Sequence, residues 1–558
     1  MQRSALAVAA SGLALLVWLP LALAGVPLDT PDGFLHLGWA AGWARQLQGG
    51  DLWPQWTDLN WAGAGSFALT IYPPLFRLIL GAPLALGVPP DHALAGALLA
   101  VLLVNSWGAA VLAQTWLPRG RGRWLLVLLA GLNPYLLVNI YVRGAWPEAL
   151  ALACLWWLAA GMTALLRELN WGLAITTAAL AAIVLSNWNS TVLTLVVWSV
   201  AAAILSVHRA WAPLHRWLLA LVLALTLTAV FWWPALQMLP SLRAPIPAGL
   251  LPGEFFLAGA SGAGSFGRLL WIQSLTLALL LTLRWLGWGS RSDLIGRWGL
   301  STALIGLLLT LSLSEPLYQL VPPLQRIQFP WRWLGPAWFA ASLWICSAQE
   351  QPALPSWRRL ALLTAGLGAA GCWFDGLWRF RSNLTGHAPS QEERQALRQL
   401  LACDPLQACP RGHSALPPQG ELTKRFAALD DGRIALAGVP DYSPHSIPAS
   451  SWNQRLAIFW LPQWPQTHWA RFSGKGSARL ISRGPRERTL QVEAHSPGQL
   501  RIMQWAHPQW RVQIRPAKGP NRDWSLPIPR GSANHAGWVE LSLPNGTWEV
   551  ALTYGKPR

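Results

Sequence analysis

The 558-residue sequence is 53% hydrophobic and only 12% charged, whereas about 25% of the residues of a soluble globular protein are charged. Its apolar runs of about 16–25 residues, separated by short segments that carry arginine, exclude an ordinary soluble enzyme and predict a multi-pass α-helical membrane protein. The net charge of +18 does not indicate nucleic acid as a partner, because the basic residues are spread over short loops and the tail without a basic helix or an RNA-binding signature.

About eleven apolar runs predict membrane spans. The first is longer than the apolar region of a signal peptide, so we expect it to remain as a span, with cleavage after Ala24 as the alternative. The runs are 4–26, 91–117, 124–140, 147–166, 170–186, 190–207, 217–236, 268–285, 297–314, 333–347 and 358–378.

The run 72–88 is short and contains three prolines and Arg77, which favours an interfacial or re-entrant segment over a crossing. If it does not cross, the arginine clusters between spans all lie in the cytoplasm with the N-terminus, as the positive-inside bias requires. We therefore predict a protein of the plasma (inner) membrane with an extracytoplasmic C-terminal domain. The segments expected on that outer face are 27–90, 139–148, 186–189, 237–267, 314–333 and everything after residue 380.

The tail has a different character from the membrane module, which we assign to residues 1–379. Residues 380–419 are predicted to be an amphipathic linker, and residues 420–558 an extracytoplasmic β-rich domain. Gly498–Trp505 and Trp510–Pro516 have the composition of short strands. Trp538–Tyr554 contains two alternating runs around Asn545-Gly546, which predicts a β-hairpin.

Cys403 and Cys409 lie close together in this tail. In an extracytoplasmic compartment they could close a small disulfide loop, and their spacing is a poor one for zinc. Cys154, Cys346 and Cys372 lie in apolar runs, as packing residues do.

The first loop, 27–90, carries the main catalytic candidate, Asp32. A carboxylate at the membrane surface can deprotonate a hydroxyl acceptor or hold a divalent metal. The structural alternative is that Thr30, Pro31 and Asp32 begin a helix, with Thr30 as the N-cap and Pro31 in the first turn. Both can hold, since a helix start fixes a carboxylate in place.

His36 lies four residues after Asp32 and therefore on the same helix face. It could orient the acid or contact a phosphate, or it could pack beside Trp39 and Trp43 at the interface. Tyr72, in Tyr72-Pro73-Pro74, is expected in a rigid turn and could line a sugar or lipid site.

Arginines on the outer side oppose the positive-inside trend, so a ligand or a structural partner is expected for each. Arg143 could bind an anionic headgroup or a substrate phosphate, or form an ion pair with Glu148. Arg326 and Arg332 flank a Trp-Pro corner, where the alternative to an anionic ligand is stacking on Trp331 or Trp333.

The sequence contains no phosphate loop, dinucleotide fingerprint or HExxH motif, and no cytoplasmic domain large enough for a nucleotide. A donor substrate would therefore have to be available outside the cell without ATP or a nucleotide-sugar. A lipid-phosphate-linked donor meets that restriction.

Several motifs resemble the GT-C superfamily of polyprenyl-phosphate-dependent glycosyltransferases, and more narrowly the bacterial membrane family labelled 6-pyruvoyl-tetrahydropterin synthase-related. The resemblance covers most of the chain, including the β-rich tail. Its motifs are Asp32–Leu37 (DGFLHL), Gly50–Trp56 (GDLWPQW), Tyr72–Leu75 (YPPL), Tyr141–Ala149 (YVRGAWPEA), Phe231–Leu236 (FWWPAL) and Gln328–Arg332 (QFPWR).

The resemblance implies a GT-C fold with Asp32 as the first-loop acid, and Arg143 and Arg332 as candidates to hold the lipid phosphate. The chain departs from the family in two places. It has no D-x-D motif in the loop, so we assign no metal ligands, and whether the reaction uses a divalent metal is left open. Where a histidine is expected after the fifth span it has Ser186-Asn187, and the scattered histidines suggest no pterin chemistry.

These observations predict a glycosyltransferase that moves a sugar from a lipid-linked donor to a glycan, lipid or protein acceptor outside the cell. The first alternative is a transporter or flippase for a lipid-linked glycan, which would need ionisable groups near mid-span. The second is a non-catalytic glycan-assembly protein that binds through its β-rich domain.

Overall fold

The computed structural model describes two parts, a helical membrane module and a β-rich C-terminal part. The described residues are 2–26, 30, 32–58, 65–238, 256–257, 264–288, 293–325, 327, 329–347, 371, 374, 377–378, 434–436, 460–462, 469–505, 509–517, 524–527 and 538–555. The predicted linker 380–419, the cysteines Cys403 and Cys409, Cys372 and Arg326 lie outside these residues.

Sixteen α-helices are numbered here in chain order within the described residues. They are α1 Gln2–Ala24, α2 Gly33–Gln48, α3 Ala68–Ile71, α4 Leu75–Ala85, α5 Pro90–Trp116, α6 Arg121–Gly131, α7 Pro134–Val138, α8 Trp146–Leu166, α9 Gly172–Val184, α10 Trp188–Val207, α11 Trp211–Met238, α12 Gly264–Trp288, α13 Leu294–Leu309, α14 Glu315–Leu320, α15 Pro322–Gln325 and α16 Leu334–Cys346. A π-helical turn covers Asn139–Arg143, and 3-10 turns cover Ser312–Ser314 and Pro330–Trp333.

Seven helical segments of the described chain are long and apolar enough to cross a membrane, or eight if a bent pair counts as one span. That pair, Leu294–Leu309 and Ser312–Leu320, bends by 92°. Eleven spans are therefore not confirmed. The predicted spans 170–186 and 333–347 form helices of 13 residues, shorter than the roughly 20 residues that a crossing needs, and most of 358–378 is outside the described residues.

The segment 72–88 forms α4, an 11-residue helix. At about 1.5 Å per residue it is about 16 Å long, roughly half the thickness of the hydrocarbon core. An interfacial or re-entrant position for it stays a prediction.

Helix α8 lies at the centre of the helical module, and nearly all its residues are buried. Small residues let its neighbours approach closely. A Cβ on Gly108 of α5 would lie 2.7 Å from Trp157, and one on Gly161 would lie 2.6 Å from Thr176 of α9. Cys154 and Cys346 are buried here, as the apolar context predicts.

Ten strands form the described β part. They are β1 Ile434–Leu436, β2 Trp460–Pro462, β3 Ala470–Phe472, β4 Gly476–Gly484, β5 Glu487–Ala494, β6 Gly498–Trp505, β7 Trp510–Pro516, β8 Trp524–Pro527, β9 Trp538–Leu543 and β10 Gly546–Tyr554. A five-stranded antiparallel sheet has the order β4-β5-β10-β7-β8, and a three-stranded sheet has the order β3-β6-β9. Inward side chains of both sheets share one core, which includes Leu490, Leu500, Val512, Leu541 and Val550, so we call this unit the β sandwich.

The predicted strands Gly498–Trp505 and Trp510–Pro516 are confirmed as β6 and β7, but the predicted hairpin is wrong. β9 pairs with β6, whereas β10 pairs with β5 and β7. The chain passes from one sheet to the other at Pro544-Asn545, and Gly546 has a φ of 140°. The turn signal is local, and the core shared by the two sheets decides the pairing instead.

Candidate active site

Asp32 lies directly before α2. The Thr30 hydroxyl oxygen accepts a hydrogen bond from the Gly33 N–H at 3.2 Å, but the helix begins at Gly33 with Asp32, rather than the predicted Thr30, in the N-cap position. The Asp32 N–H donates to the Arg143 carbonyl at 3.0 Å. Gly144 makes this approach possible, because its φ is +68° and a Cβ there would lie 2.6 Å from the Gly33 nitrogen. The backbone thus joins the first loop to the segment that carries Arg143.

Two carboxylates and two arginines form a cluster at this junction. Arg143 Nη2 lies 3.6 Å from Asp32 Oδ2, and Arg143 Nη1 lies 3.3 Å from Glu148 Oε2. Arg332 Nε lies 3.4 Å from the same Glu148 oxygen. The predicted Arg143–Glu148 pair is therefore present, and Asp32 and Arg332 extend it to four charged groups from three distant parts of the chain.

The two carboxylates differ in exposure and in the number of their partners. The Glu148 side chain is 3% exposed, while that of Asp32 is 36% exposed. Glu148 also accepts hydrogen bonds from the Tyr135 hydroxyl at 2.9 Å and from Asn139 Nδ2 at 3.4 Å. Glu148 is thus a buried anchor for the arginines, and Asp32 is the carboxylate that a substrate can reach.

Sequence reasoning missed Tyr135 and Asn139. Both lie in a run counted as a plain membrane span, yet their spacing from Arg143 is a signal: positions 135, 139 and 143 repeat every four residues and share one helix face. The π-helical turn begins at Asn139, where Arg143 Nη1 donates to Asn139 Oδ1 at 2.8 Å. Such turns are frequent at functional sites.

An aromatic wall borders the cluster. The His36 ring contacts Trp39, Tyr72, Phe76 and Trp146, with ring centroids 5.4–6.3 Å apart. Burial and, to a smaller extent, the Arg143 charge together lower the pKa of His36 to about 3. The imidazole is therefore neutral near pH 7 and adds no positive charge for a phosphate. The predicted neighbour Trp43 packs instead against Gly81 of α4.

Tyr72 is the residue of this wall that connects it to α10. Its hydroxyl accepts a hydrogen bond from Asn187 Nδ2 at 3.3 Å, and Asn187 Oδ1 caps α10 by accepting from the Ser190 N–H at 2.9 Å. The position where the resemblance calls for a histidine thus holds an amide that orients Tyr72.

Arg332 stacks on Phe329, whereas the sequence predicts stacking on Trp331 or Trp333. Its guanidinium carbon lies 5.1 Å from the centroid of Phe329, and Phe329 stacks on Trp331 at 4.6 Å. The 3-10 turn Pro330–Trp333 carries Arg332 back over the preceding residues. Stacking and the Glu148 contact together fix the direction of this guanidinium.

The electrostatics of Asp32 suit a proton acceptor. Removal of water from around Asp32 raises the pKa of its carboxyl group, and the nearby Glu148 charge raises it further. The charges of Arg143 and Arg332 lower the pKa by less, so it lies above the usual carboxyl value. A base is most effective when its pKa approaches the working pH. Within the described ranges no three His, Cys, Asp or Glu side chains are grouped to hold a metal ion.

Contacts at this site join outer-face segments that the predicted topology groups together. Asp32 and Tyr72 come from 27–90, Arg143 from 139–148, Asn187 from 186–189 and Arg332 from 314–333. Their convergence at one place is confirmed by the contacts, while the side of the membrane on which they lie stays a prediction.

No protein-family model matches this chain, and no curated protein matches it. Two solved structures are similar to it, both cryo-EM structures of the arabinofuranosyltransferase AftD from Mycobacteria, one of them a mutant form. The TM-scores are 0.45 for the mutant form and 0.41 for the other, each at 12% identity over 100% of this chain. This chain covers 60% and 57% of those chains. We assign no reaction from similarity at this level.

Proposed function

We propose that this chain is an integral-membrane glycosyltransferase that transfers a sugar from a polyprenyl-phosphate carrier to an acceptor hydroxyl on the extracytoplasmic side. One observation carries the proposal: Asp32, a partly exposed carboxylate, contacts Arg143, and the buried Glu148 holds both Arg143 and Arg332 beside it. A base and an anion-stabilising group side by side are what this reaction requires.

In the proposed step, Asp32 accepts the proton of the acceptor hydroxyl as its oxygen bonds to the anomeric carbon of the sugar. The bond between that carbon and the phosphate oxygen breaks, and the polyprenyl phosphate leaves with the electron pair. Arg143 and Arg332 stabilise the negative charge that develops on the leaving phosphate. The partly buried ring of Tyr72 offers an apolar surface for the sugar or for the start of the lipid.

The experiment compares Asp32→Asn with the wild-type protein in proteoliposomes. The donors are a panel of labelled undecaprenyl-phosphate sugars, hexoses and pentofuranoses, and the acceptors are cell-envelope glycans. We expect the transfer rate to fall about 10²–10⁴-fold, as loss of a general base does, with donor binding retained because the arginines remain. Asp91→Asn, which changes the acid in the first turn of α5, is the matched control and should transfer normally.

Transfer at the wild-type rate by Asp32→Asn would refute the role of this residue. A wild-type protein that moves the intact lipid-linked sugar between leaflets without breaking its phosphate bond would support the flippase alternative. A protein that does neither, while the full chain binds the glycan, would support the assembly alternative.

A further inference from the structure

The first loop of the membrane module shares a hydrophobic core with the β sandwich. Trp56, Phe67 and Ile71 of the loop are buried together with residues of both sheets. The Trp56 ring is fully buried, with ring centroids 5.5 Å from Trp510 of β7 and 5.1 Å from Tyr554 of β10. Complete burial of a side chain this large removes much apolar surface from water and stabilises the contact, so this is a docked interface.

Two ion pairs lie beside the buried Trp56 contact. Arg486, between β4 and β5, pairs with Asp51. Arg483 of β4 pairs with Asp58 at 3.4 Å, donates to the Asp58 carbonyl at 3.2 Å, and lies over the Trp469 ring at 4.5 Å. Both acids belong to the first loop and both arginines to the sandwich, so the charges are complementary across the interface.

Gln46 transmits this docking to helix α2. It is buried near the end of α2, where its Oε1 accepts from Arg486 Nε at 3.2 Å and its Nε2 donates to the Trp56 carbonyl at 2.7 Å. The other end of α2 begins directly after Asp32, about 20 Å from Gln46 at 1.5 Å per residue. A helix transmits such a constraint as a rigid element.

A second connection follows the chain itself. Phe67 and Ile71 lie in the shared core, and the Ile71 carbonyl accepts a hydrogen bond from Trp188 Nε1 at 2.7 Å. The next residue is Tyr72, which lines the aromatic wall beside His36. The sandwich therefore contacts the first loop at two places, one leading to Asp32 and the other to Tyr72.

We propose that the β sandwich is a positioning element for the Asp32 site: by docking on Trp56, Asp51 and Asp58 it fixes α2 and the Tyr72 segment in the arrangement that the reaction needs. We class Arg483, Arg486 and Gln46 as positioning residues in this sense, since Arg486 and Gln46 act through α2 and Arg483 acts through Asp58 of the first loop. The expected effect on sugar transfer rests on the proposed function, whereas the expected effect on the rigidity of the first loop rests on the structure alone.

The test uses the full chain in nanodiscs with the double variant Arg483→Met/Arg486→Met, which retains most of each side chain's apolar stem. The matched control is Arg479→Met, on the same strand, whose guanidinium bonds only within the sheet to Gln491 among its described contacts. Hydrogen exchange of the amides in 33–48 and 67–72 is measured first. We expect it to be at least about tenfold faster in the double variant, and unchanged in the control.

The kinetic arm measures sugar transfer from the undecaprenyl-phosphate donor that the wild-type protein uses. We expect kcat to fall about tenfold with the donor KM within about twofold, because the reacting groups are misplaced while the arginines still bind the phosphate. The charge-swapped pair Asp51→Arg/Arg486→Asp should bring both the hydrogen exchange and kcat most of the way back to the wild-type values, compared with Arg486→Met alone. Such a recovery would also exclude misfolding as the cause of the losses.

Unchanged exchange in 33–48 and 67–72 in the double variant would overturn the inference, as would equal effects of Arg479→Met. A protein with no transferase activity in any form would refute the proposed function, and the exchange experiment would still decide whether the sandwich fixes the first loop.

Discussion

Two acid–arginine clusters lie at opposite ends of helix α2, and they differ in the exposure of the acid and in the sign of its pKa shift. At the start of α2, Asp32 is partly exposed and contacts Arg143 at 3.6 Å. Beyond its end, Asp58 is 3% exposed and pairs with Arg483 at 3.4 Å beside a hydrophobic core.

The pKa shifts of the two acids have opposite signs. Burial raises the pKa of Asp32 despite Arg143 and Arg332. At Asp58 burial also acts to raise the pKa, but Arg483, Arg45 and Arg488 together outweigh it, and the pKa falls below its usual range. The same residue types thus give a carboxyl group with a raised pKa at one end of the helix and one with a lowered pKa at the other.

The largest expected effect separates Asp32 from its buried neighbour Glu148. Glu148→Gln leaves Arg143 and Arg332 buried without their shared carboxylate, and breaking a buried pair costs about 3–5 kcal/mol. We expect a large fall in thermal stability in detergent or nanodiscs. Asp32→Asn should change stability by less than about 1 kcal/mol, since its contact is longer and partly exposed. Equal losses would mean that both carboxylates are structural.

The Asp58 end should respond in stability rather than in chemistry. Asp58→Asn removes the charge that faces Arg483 and should cost about 1–3 kcal/mol, measured by denaturant unfolding of the full chain. Because the folded pKa of Asp58 is lowered, its stabilisation is complete above the unfolded pKa of about 4 and is lost as the pH falls through the folded value. The difference between wild type and Asp58→Asn should therefore shrink below about pH 4, and a constant difference would contradict this assignment.

The pH dependence of transfer tests the Asp32 end. A base with a raised pKa gives kcat/KM an acidic limb whose midpoint lies above the ordinary carboxyl value near 4. Arg332 lowers that pKa, so Arg332→Met should move the midpoint upward by up to about 1 unit, besides weakening donor binding. Arg479→Met is the control. A midpoint that falls in Arg332→Met would show that another group titrates.

The contrast between the clusters also shows what the sequence could reveal. The sequence indicates four site residues because charged side chains next to apolar runs are uncommon unless they have a partner or a ligand. The distribution of arginines then predicts that all four, Asp32, Arg143, Glu148 and Arg332, lie on one face of the membrane. Tyr135, Asn139 and the orienting role of Asn187 were missed because isolated polar residues within an apolar run are common and their partners are distant. The β9–β10 pairing was mispredicted because a two-residue turn signal contains no information about which sheet each strand joins.

The docking of the sandwich on the first loop is a further feature that no local pattern predicts. In the sequence nothing distinguishes Trp56, in the motif GDLWPQW, from the other tryptophans among the 39. Its contact with Trp510, which lies more than 450 positions further along the chain, arises only in the folded structure. The count of eleven spans stays unconfirmed for a related reason: hydropathy measures composition, while helices α9 and α16 end after 13 residues.

The smallest expected effect concerns another buried arginine, Arg77 of α4, for which no carboxylate contact occurs among the described residues. Arg77 Nη2 donates to the Leu69 carbonyl at 3.0 Å, while Nε and Nη1 are buried without acceptors. Burial lowers the pKa of Arg77 to about 9, a sign that its charge is costly there. Arg77→Met keeps the length of the side chain and removes both unsatisfied donors, each of which costs about 1–3 kcal/mol when buried. After loss of the Leu69 bond we expect a net gain of about 1 kcal/mol in thermal stability, with Arg479→Met unchanged. A loss of stability would show that Arg77, like Arg143 and Arg483, is held by an anionic partner.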